Sequence, residues 1–350
     1  MKNREILLLL LVAALVLSAG MFLAAEVKEI MGAGATFPYP LYSKWFDIYH
    51  NETGIKVNYQ GIGSGGGIRQ LQAKTVDFGG TDAFLSDEDL AEHASNPILH
   101  VPTCLGAIVI AYNLPGNPEL KLTSDVIADI FLGKIKKWND RRITKLNPDV
   151  NLPSLDIAVV HRSDGSGSTF CFSYYLSKVN TEWKNKVGVG KSLEWPVGLG
   201  GKGNPGVAAL VKQVKGAVGY VELAYAIEND IPYAQVQNKS GKFVKPSLKS
   251  VSLAANINLP DHTRASITNT DAENGYPVSS FTWIIFYQKQ NYSGRSREQA
   301  EELVKLLWWM IHGGQQYTES LLYAPLPAEA VKKAEKIIKS VSFNGKAVLE

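Results

Sequence analysis

The stretch RSDGSGST, Arg162 to Thr169, constrains this chain more than any other because of what flanks it. Upstream, Leu155-Asp156-Ile157-Ala158-Val159-Val160 reads as a buried strand, with Arg162 at its C-terminal end. Downstream, Phe170, Tyr174 and Tyr175 recur at helical spacing, and Ser166 or Ser168 is placed to cap a helix. Between strand and helix, Gly165 and Gly167 let the backbone turn tightly and bring its N–H groups close to a ligand. A strand ending in Arg, a Gly/Ser turn and a helix N-terminus together suit an oxyanion. The guanidinium supplies full charge and two parallel donors, and the helix end adds oriented N–H groups and about half a positive charge. Asp164 fits such a site as the partner that holds Arg162 in one rotamer. The competing reading is an ordinary strand–helix turn with a surface arginine, and the rest of the chain weighs between the two.

The same pattern recurs upstream. Residues 27–31 read as a strand leading into GAGATFP (Gly32 to Pro38), followed by a helix with Leu41, Trp45, Phe46 and Tyr49 on one face, ending near Gly54. Residues 55–60 alternate like a strand, then comes GIGSGGG (Gly61 to Gly67), then a short helix carrying Ile68 and Leu71. Val76-Asp77-Phe78 is a further strand, running out through GGTDAF (Gly79 to Phe84), and Ser86 opens an acidic helix start. Strand, glycine turn and helix in repetition predict α/β architecture. The apolar run from His100 to Asn113 predicts one long buried strand crossing between domains, and 350 residues allow about two of them.

Further on, helices are expected over 124–131 and 140–146. A Gly-rich loop (Gly198 to Gly206), a helix over 207–214 and a strand over 217–221 follow. Residues 233–244 read as a hairpin, and 281–287 as a strand. The next helix has a capping box, Ser296 with Gln299, and Gly313-Gly314 to end it; a last helix covers 328–341, after Pro327.

Several function classes are excluded. GIGSGG matches the dinucleotide fingerprint, but the acidic residue expected about 20 positions on would be Asp82, inside a turn. Ser64 within it either caps the helix or offers its hydroxyl to a ligand. VGVGKS (Val187 to Ser192) lacks the P-loop's first glycine, since Asn185 stands there. No G-x-S-x-G elbow is present, and His161 points to the opposite face of its strand from Arg162, so a serine hydrolase has no triad. Two cysteines and six histidines, with neither H-x-x-x-H nor C-x-x-C, argue against a metal site. A net charge of +3 suggests no nucleic-acid surface.

Residues 1–25 form a targeting segment: Lys2 and Arg4 precede an uninterrupted apolar run, Ile6 to Ala19. Ser18-Ala19-Gly20 fits a signal-peptide cleavage site. The apolar residues nevertheless continue to Ala25, about enough to span a bilayer as an uncleaved anchor. Either way the protein works outside the cytoplasm, where Cys104 and Cys171 are free to form a bridge or remain buried thiols.

What remains is three strand–helix turns, at Thr36-Phe37, Ser64 and Arg162 to Ser168, each able to aim N–H groups at one small anion. In open α/β sheets such turns gather at the carboxyl edge, and in two-lobed proteins they face each other across a cleft. At this point the chain resembles the extracytoplasmic phosphate-binding proteins that feed ABC-type phosphate importers. The likeness rests on GAGATFP, YQGIGSGGG, VDFGGTDAFLSD, LGKIKKWND, RSDGSGST, GLGGKGN and GAVGYVELAYA, spaced from Gly32 towards the C-terminal helix.

The resemblance implies a type II periplasmic-binding-protein fold, two α/β lobes with a ligand cleft between them. Lobe I would take 27–101 and 272–350, and lobe II 102–271. Carried over by position, Thr36 offers its hydroxyl, Phe37 its backbone N–H and Ser64 its hydroxyl. Asp82 accepts a proton from the ligand, Arg162 makes the ion pair, tethered by Asp164, and Ser166, Gly167 and Ser168 close the other side. Ser168 stands where relatives often have Thr, and Gly65 where a second Ser is common. The expected protein is a monomeric receptor for inorganic phosphate that hands it to an ABC permease complex, with no cofactor and no catalysis. Its rivals are a receptor for another tetrahedral oxyanion such as sulfate, and a phosphoryl-transfer enzyme, for which neither a metal cluster nor an activated nucleophile is visible.

Overall fold

The structure is a computed structural model, and it describes residues 29–349. The targeting segment therefore lies outside the described residues. In chain order the elements that position the site are β1 (Glu29–Gly34), α1 (Tyr39–Thr53), β2 (Lys56–Gly61), α2 (Ser64–Gln72), β3 (Phe78–Thr81) and β4 (Ile98–Tyr112). They continue with β5 (Ala158–Arg162), α3 (Gly167–Val179), β6 (Leu199–Gly201), α4 (Gly203–Gln213), β7 (Ala217–Glu222), β8 (Ser279–Tyr287), α5 (Arg297–Ile311) and α6 (Ala328–Lys339).

β4 organises the molecule. Its side chains are buried along almost the whole length, which explains an apolar run without alternation. From Ile98 to Ala107 it pairs antiparallel with β8, and from Ile108 to Tyr112 it pairs antiparallel with β7. The one strand thereby joins two sets of parallel strands into an eight-stranded sheet, ordered β2-β1-β3-β8-β4-β7-β5-β6.

Strand direction now decides where the turns go. β3 is antiparallel to β8, which is antiparallel to β4, so β3 runs with β4. β7 is antiparallel to β4 and carries β5 with it in parallel. The two parallel sets therefore point at each other, and the carboxyl ends of β1, β3 and β5 meet near the middle of the sheet. A bulge sits at the same place: the β4–β8 register shifts at Thr282/Trp283, beside Pro102, whose missing N–H a bulge accommodates.

Aromatic side chains fill the space under each set. Tyr42 stacks on Trp45 with centroids 5.8 Å apart and meets Tyr59 edge-on at 5.3 Å. Phe172 stacks on Tyr220 at 4.5 Å and meets Phe131 edge-on at 4.8 Å.

Most sequence expectations map onto these elements, including the hairpin (Gln235–Gln237 with Phe243–Val244) and the capping box at Ser296 and Gln299. One needs correction: the Asp140 to Leu146 helix shortens to Arg141–Thr144. α5 stops at Ile311, with His312 as its C-cap and Gly313-Gly314 directly beyond, where Gly313 starts a 3-10 turn. The glycines are there for close approach, since a Cβ on Gly314 would lie 3.1 Å from the Trp309 ring and 3.2 Å from that of Trp45. Cys104 and Cys171 are both buried and free, which resolves the alternative left open above in favour of thiols. Among the described residues no helix is long and apolar enough to cross a membrane.

Candidate functional site

β1 ends at Gly34, and Thr36 and Phe37 lead into α1, whose first turn carries Pro40, a residue that loses nothing there by lacking an N–H. Thr36 and Phe37 are buried. Their carbonyls are held from distant parts of the chain: Tyr225 donates its hydroxyl to Thr36 O at 2.6 Å, and Tyr323 donates to Phe37 O at 2.7 Å.

α2 begins at Ser64, and its N-cap is Gly63, at φ +82°, with no side-chain cap. Ser64 is therefore not the capping residue. Its hydroxyl oxygen instead accepts the Gly167 N–H at 3.1 Å and the Asp82 N–H at 3.3 Å. Gly65 reaches the same turn, donating its N–H to Gly165 O at 2.8 Å.

Asp82 follows the end of β3 and is 2% exposed. Thr282 Oγ1, next to the bulge in β8, donates to Asp82 Oδ1 at 2.9 Å. Burial pushes the Asp82 carboxyl up to about 7, against the pull of the Thr282 bond and of the Arg162 charge. The other oxygen, Oδ2, looks towards Gly167. A Cβ placed on Gly167 would lie 2.6 Å from both Asp82 Oδ2 and Ser64 Oγ, so only glycine fits between them.

Arg162 closes β5 with its side chain 1% exposed. Its Nε and Nη2 donate to the two oxygens of Asp164 at 2.8 and 2.6 Å, a bidentate fork that fixes one rotamer. Asp164 Oδ1 also accepts the Gly203 N–H at 2.9 Å. Burial opposes its charge, but the Arg162 fork, the Arg162 charge and the Gly203 N–H together outweigh burial and hold the carboxyl below its usual range. α3 then starts at Gly167. Ser166 is its N-cap, accepting the Thr169 N–H at 3.0 Å, which settles the choice between Ser166 and Ser168. Ser168 is fully buried and accepts from Asn204 Nδ2 at 3.4 Å.

Thr36, Phe37, Ser64, Asp82, Arg162, Ser166, Gly167 and Ser168 thus gather at one buried spot where the carboxyl ends of β1, β3 and β5 converge, with Asp164 behind Arg162. His161 stands apart, stacked on Trp195 at 4.8 Å. Asn204, Thr282, Tyr225 and Tyr323 complete the surroundings, and sequence reasoning assigned none of them. Only Asn204 had a signal, as the polar residue ending GLGGKGN at the start of α4. Cys171, one turn into α3, donates to Ser280 Oγ at 3.0 Å, and burial pushes its thiol up to about 12, so it behaves as packing.

Chemically, the site offers donors almost everywhere: a guanidinium, hydroxyls and backbone N–H groups at the starts of α1, α2 and α3. Asp82 is the acceptor among them. Among the described residues, no group of three or more His, Cys, Asp or Glu is arranged to hold a metal ion.

A family model described as a PBP superfamily domain matches residues 23–311. The phosphate-binding protein PstS of Pasteurella multocida is 46% identical over 318 residues, covering 89% of this chain and 90% of that protein. The protein of the same name from Methanocaldococcus jannaschii is 39% identical over 87% of this chain and 84% of its own length. Of solved structures, a high affinity periplasmic phosphate-binding protein (PfluDING) bound with phosphate aligns with a TM-score of 0.72 at 21% identity, covering 88% of this chain and 93% of that one. An ABC-type phosphate transport receptor from Vibrio cholerae aligns with a TM-score of 0.55 at 19% identity, over 85% of this chain and all of that one. At such identities the structural likeness is one of fold.

Proposed function

The chain belongs to the PBP superfamily, among relatives named phosphate-binding protein PstS, and on that premise we propose that it captures inorganic phosphate outside the cytoplasm and delivers it to an ABC phosphate importer. Its work is capture and release, not turnover. The observation that carries this reading is a buried carboxylate, Asp82, set among donors. Arg162, held by Asp164, supplies countercharge, while Asp82 asks the ligand to bring a hydrogen. Phosphate near neutral pH has both the charge and the hydrogen. The proposed ligand set is Thr36, Phe37, Ser64, Asp82, Arg162, Ser166, Gly167 and Ser168. The N-terminal segment, as signal peptide or as anchor, accounts for export.

Calorimetry on ligand-stripped protein is the test. Phosphate should bind tightly and sulfate at least about tenfold more weakly, a threshold well below the roughly 10⁴–10⁵ that a hydrogen-bond-reading site can reach. Equal binding of the two, or turnover of a phosphate ester with no retention of free phosphate, would remove the reading.

The proposed lobes are 27–101 with 272–350, and 102–271. The partner switch in β4 at Ala107 and Ile108 supports a hinge between them, because the chain passes from one strand set to the other there. With ligand groups on both lobes, phosphate binding should close the cleft. Small-angle scattering of a monomer should therefore show a smaller radius of gyration at saturating phosphate. Superimposable curves, or the mass of a dimer, would count against this arrangement.

A further inference from the structure

Thr36, Ser64, Ser166 and Ser168 bring hydroxyls to the site, and a hydroxyl serves as donor or acceptor according to what already fills its lone pairs. Ser64 Oγ accepts two backbone N–H groups, from Gly167 and Asp82, which leaves its hydrogen to be donated. Thr36 Oγ1 also accepts twice, in this case from one residue: the Asn204 N–H at 3.0 Å and Asn204 Nδ2 at 3.1 Å. The same Nδ2 reaches Ser168 Oγ at 3.4 Å.

The orientation of this amide is fixed by chemistry. Asn204 is fully buried, and its Oδ1 accepts the Glu222 N–H at 3.0 Å. A backbone N–H can only donate, so the oxygen must face Glu222 and the NH2 must face the two hydroxyls. Gly203, one residue earlier and at φ +68°, donates to Asp164 Oδ1. One turn thus braces both the hydroxyl of Thr36 and the partner of Arg162.

We propose that Asn204 is a positioning and specificity-determining residue: by donating twice to Thr36 Oγ1 and once to Ser168 Oγ, it makes both hydroxyls donors towards the ligand. Asp82 then stays the lone acceptor, and the site takes an oxyanion with one hydrogen to give. Without the Asn204 amide, Thr36 Oγ1 keeps only the backbone N–H of residue 204 and has a lone pair left to accept from the ligand, which costs affinity and blurs that selection. The inference rests on the phosphate reading above and deepens it.

The test is phosphate calorimetry on Asn204→Ala, Asn204→Asp, Thr36→Val and the double variant Asn204→Ala/Thr36→Val. Asn204→Ala should bind about tenfold more weakly, the loss of one to two net hydrogen bonds. In the Thr36→Val background the same change should cost less than about threefold, because the Thr36 hydroxyl is already gone and only the longer bond to Ser168 is left to lose on the ligand side. A merely structural asparagine would give equal penalties in the two backgrounds. Asn204→Asp keeps the acceptor for Glu222 and the size of the side chain, but accepts from Thr36 and adds a charge; it should bind at least about 100-fold more weakly. Additive penalties, or Asn204→Ala within twofold of the parent, would overturn the proposal. If Asn204→Ala does not fold, Asn204→Asp carries the test, and binding within tenfold of the parent overturns it. Failure of the parent itself to bind phosphate would overturn the functional reading first, and is told apart by being seen before any substitution.

Discussion

Arg162→Ala is expected to weaken phosphate binding by about 10- to 150-fold, the range that follows from roughly 1.5–3 kcal/mol for a charge-assisted hydrogen bond. The geometry argues for the upper end. Arg162 is almost completely buried and spends Nε and Nη2 on Asp164, so its removal deletes a cation and strands a half-buried carboxylate. Breaking such a pair from one side costs more than the pair contributes, because an uncompensated charge stays behind. The Arg162 charge also pulls the Asp82 carboxyl downwards. Without it Asp82 titrates higher still and is more often protonated, unable to accept the ligand's hydrogen, while Asp164 is left with no counterion. Arg162→Lys should recover part of the loss, since an ammonium restores charge but not the planar fork. Calorimetry on ligand-stripped protein gives the number, with a melting curve to show that the variant is folded. Binding of Arg162→Ala within threefold of the parent would contradict the assignment.

What could be read from the sequence follows from what is local. The turn at Arg162 to Ser168 announces itself within eight residues, because strand, glycines, capping serine and helix are contiguous. The same holds for Thr36-Phe37 and Ser64. β4 could be recognised by an apolar run too long to serve one layer. The residue at which it changes partners could not, because pairing register belongs to β7 and β8. The groups that tune the site were hidden for the same reason. Thr282 reaches Asp82 across 200 positions, Tyr225 reaches Thr36 across 189, and Asn204 reaches Thr36 across 168. No periodicity or spacing rule links residues so far apart. Gly313-Gly314 was legible only in part: the local signal marks the end of α5, but the packing against Trp309 and Trp45 that excludes a side chain comes from the fold.

Asp82→Asn is expected to lower the phosphate-to-sulfate affinity ratio at least tenfold, a modest part of the roughly 10⁴–10⁵ that a site reading a ligand's hydrogen can achieve. A carboxylate aimed at an anion repels it strongly where water is scarce, unless the ligand donates a hydrogen. Phosphate can form an O–H···O bond to Asp82 Oδ2, whereas fully deprotonated sulfate leaves that oxygen facing another. Oδ1 is already engaged by Thr282, which leaves Oδ2 the freer of the two oxygens. The asparagine keeps an oxygen for Thr282 and offers an amide donor in place of Oδ2, which sulfate can accept. The direction of the pH dependence follows from the titration of Asp82, which burial pushes up to about 7. The folded protein then binds this proton more tightly than the unfolded chain. The stability it contributes is complete below the ordinary carboxylate pKa and is lost as pH rises through about 7. The same proton makes Asp82 a donor, so sulfate affinity of the parent should climb as pH falls below about 7, and that of Asp82→Asn should stay nearly flat. Sulfate titrations of both proteins on either side of pH 7 separate the cases. If the variant rejects sulfate as strongly as the parent at every pH, another group makes the distinction.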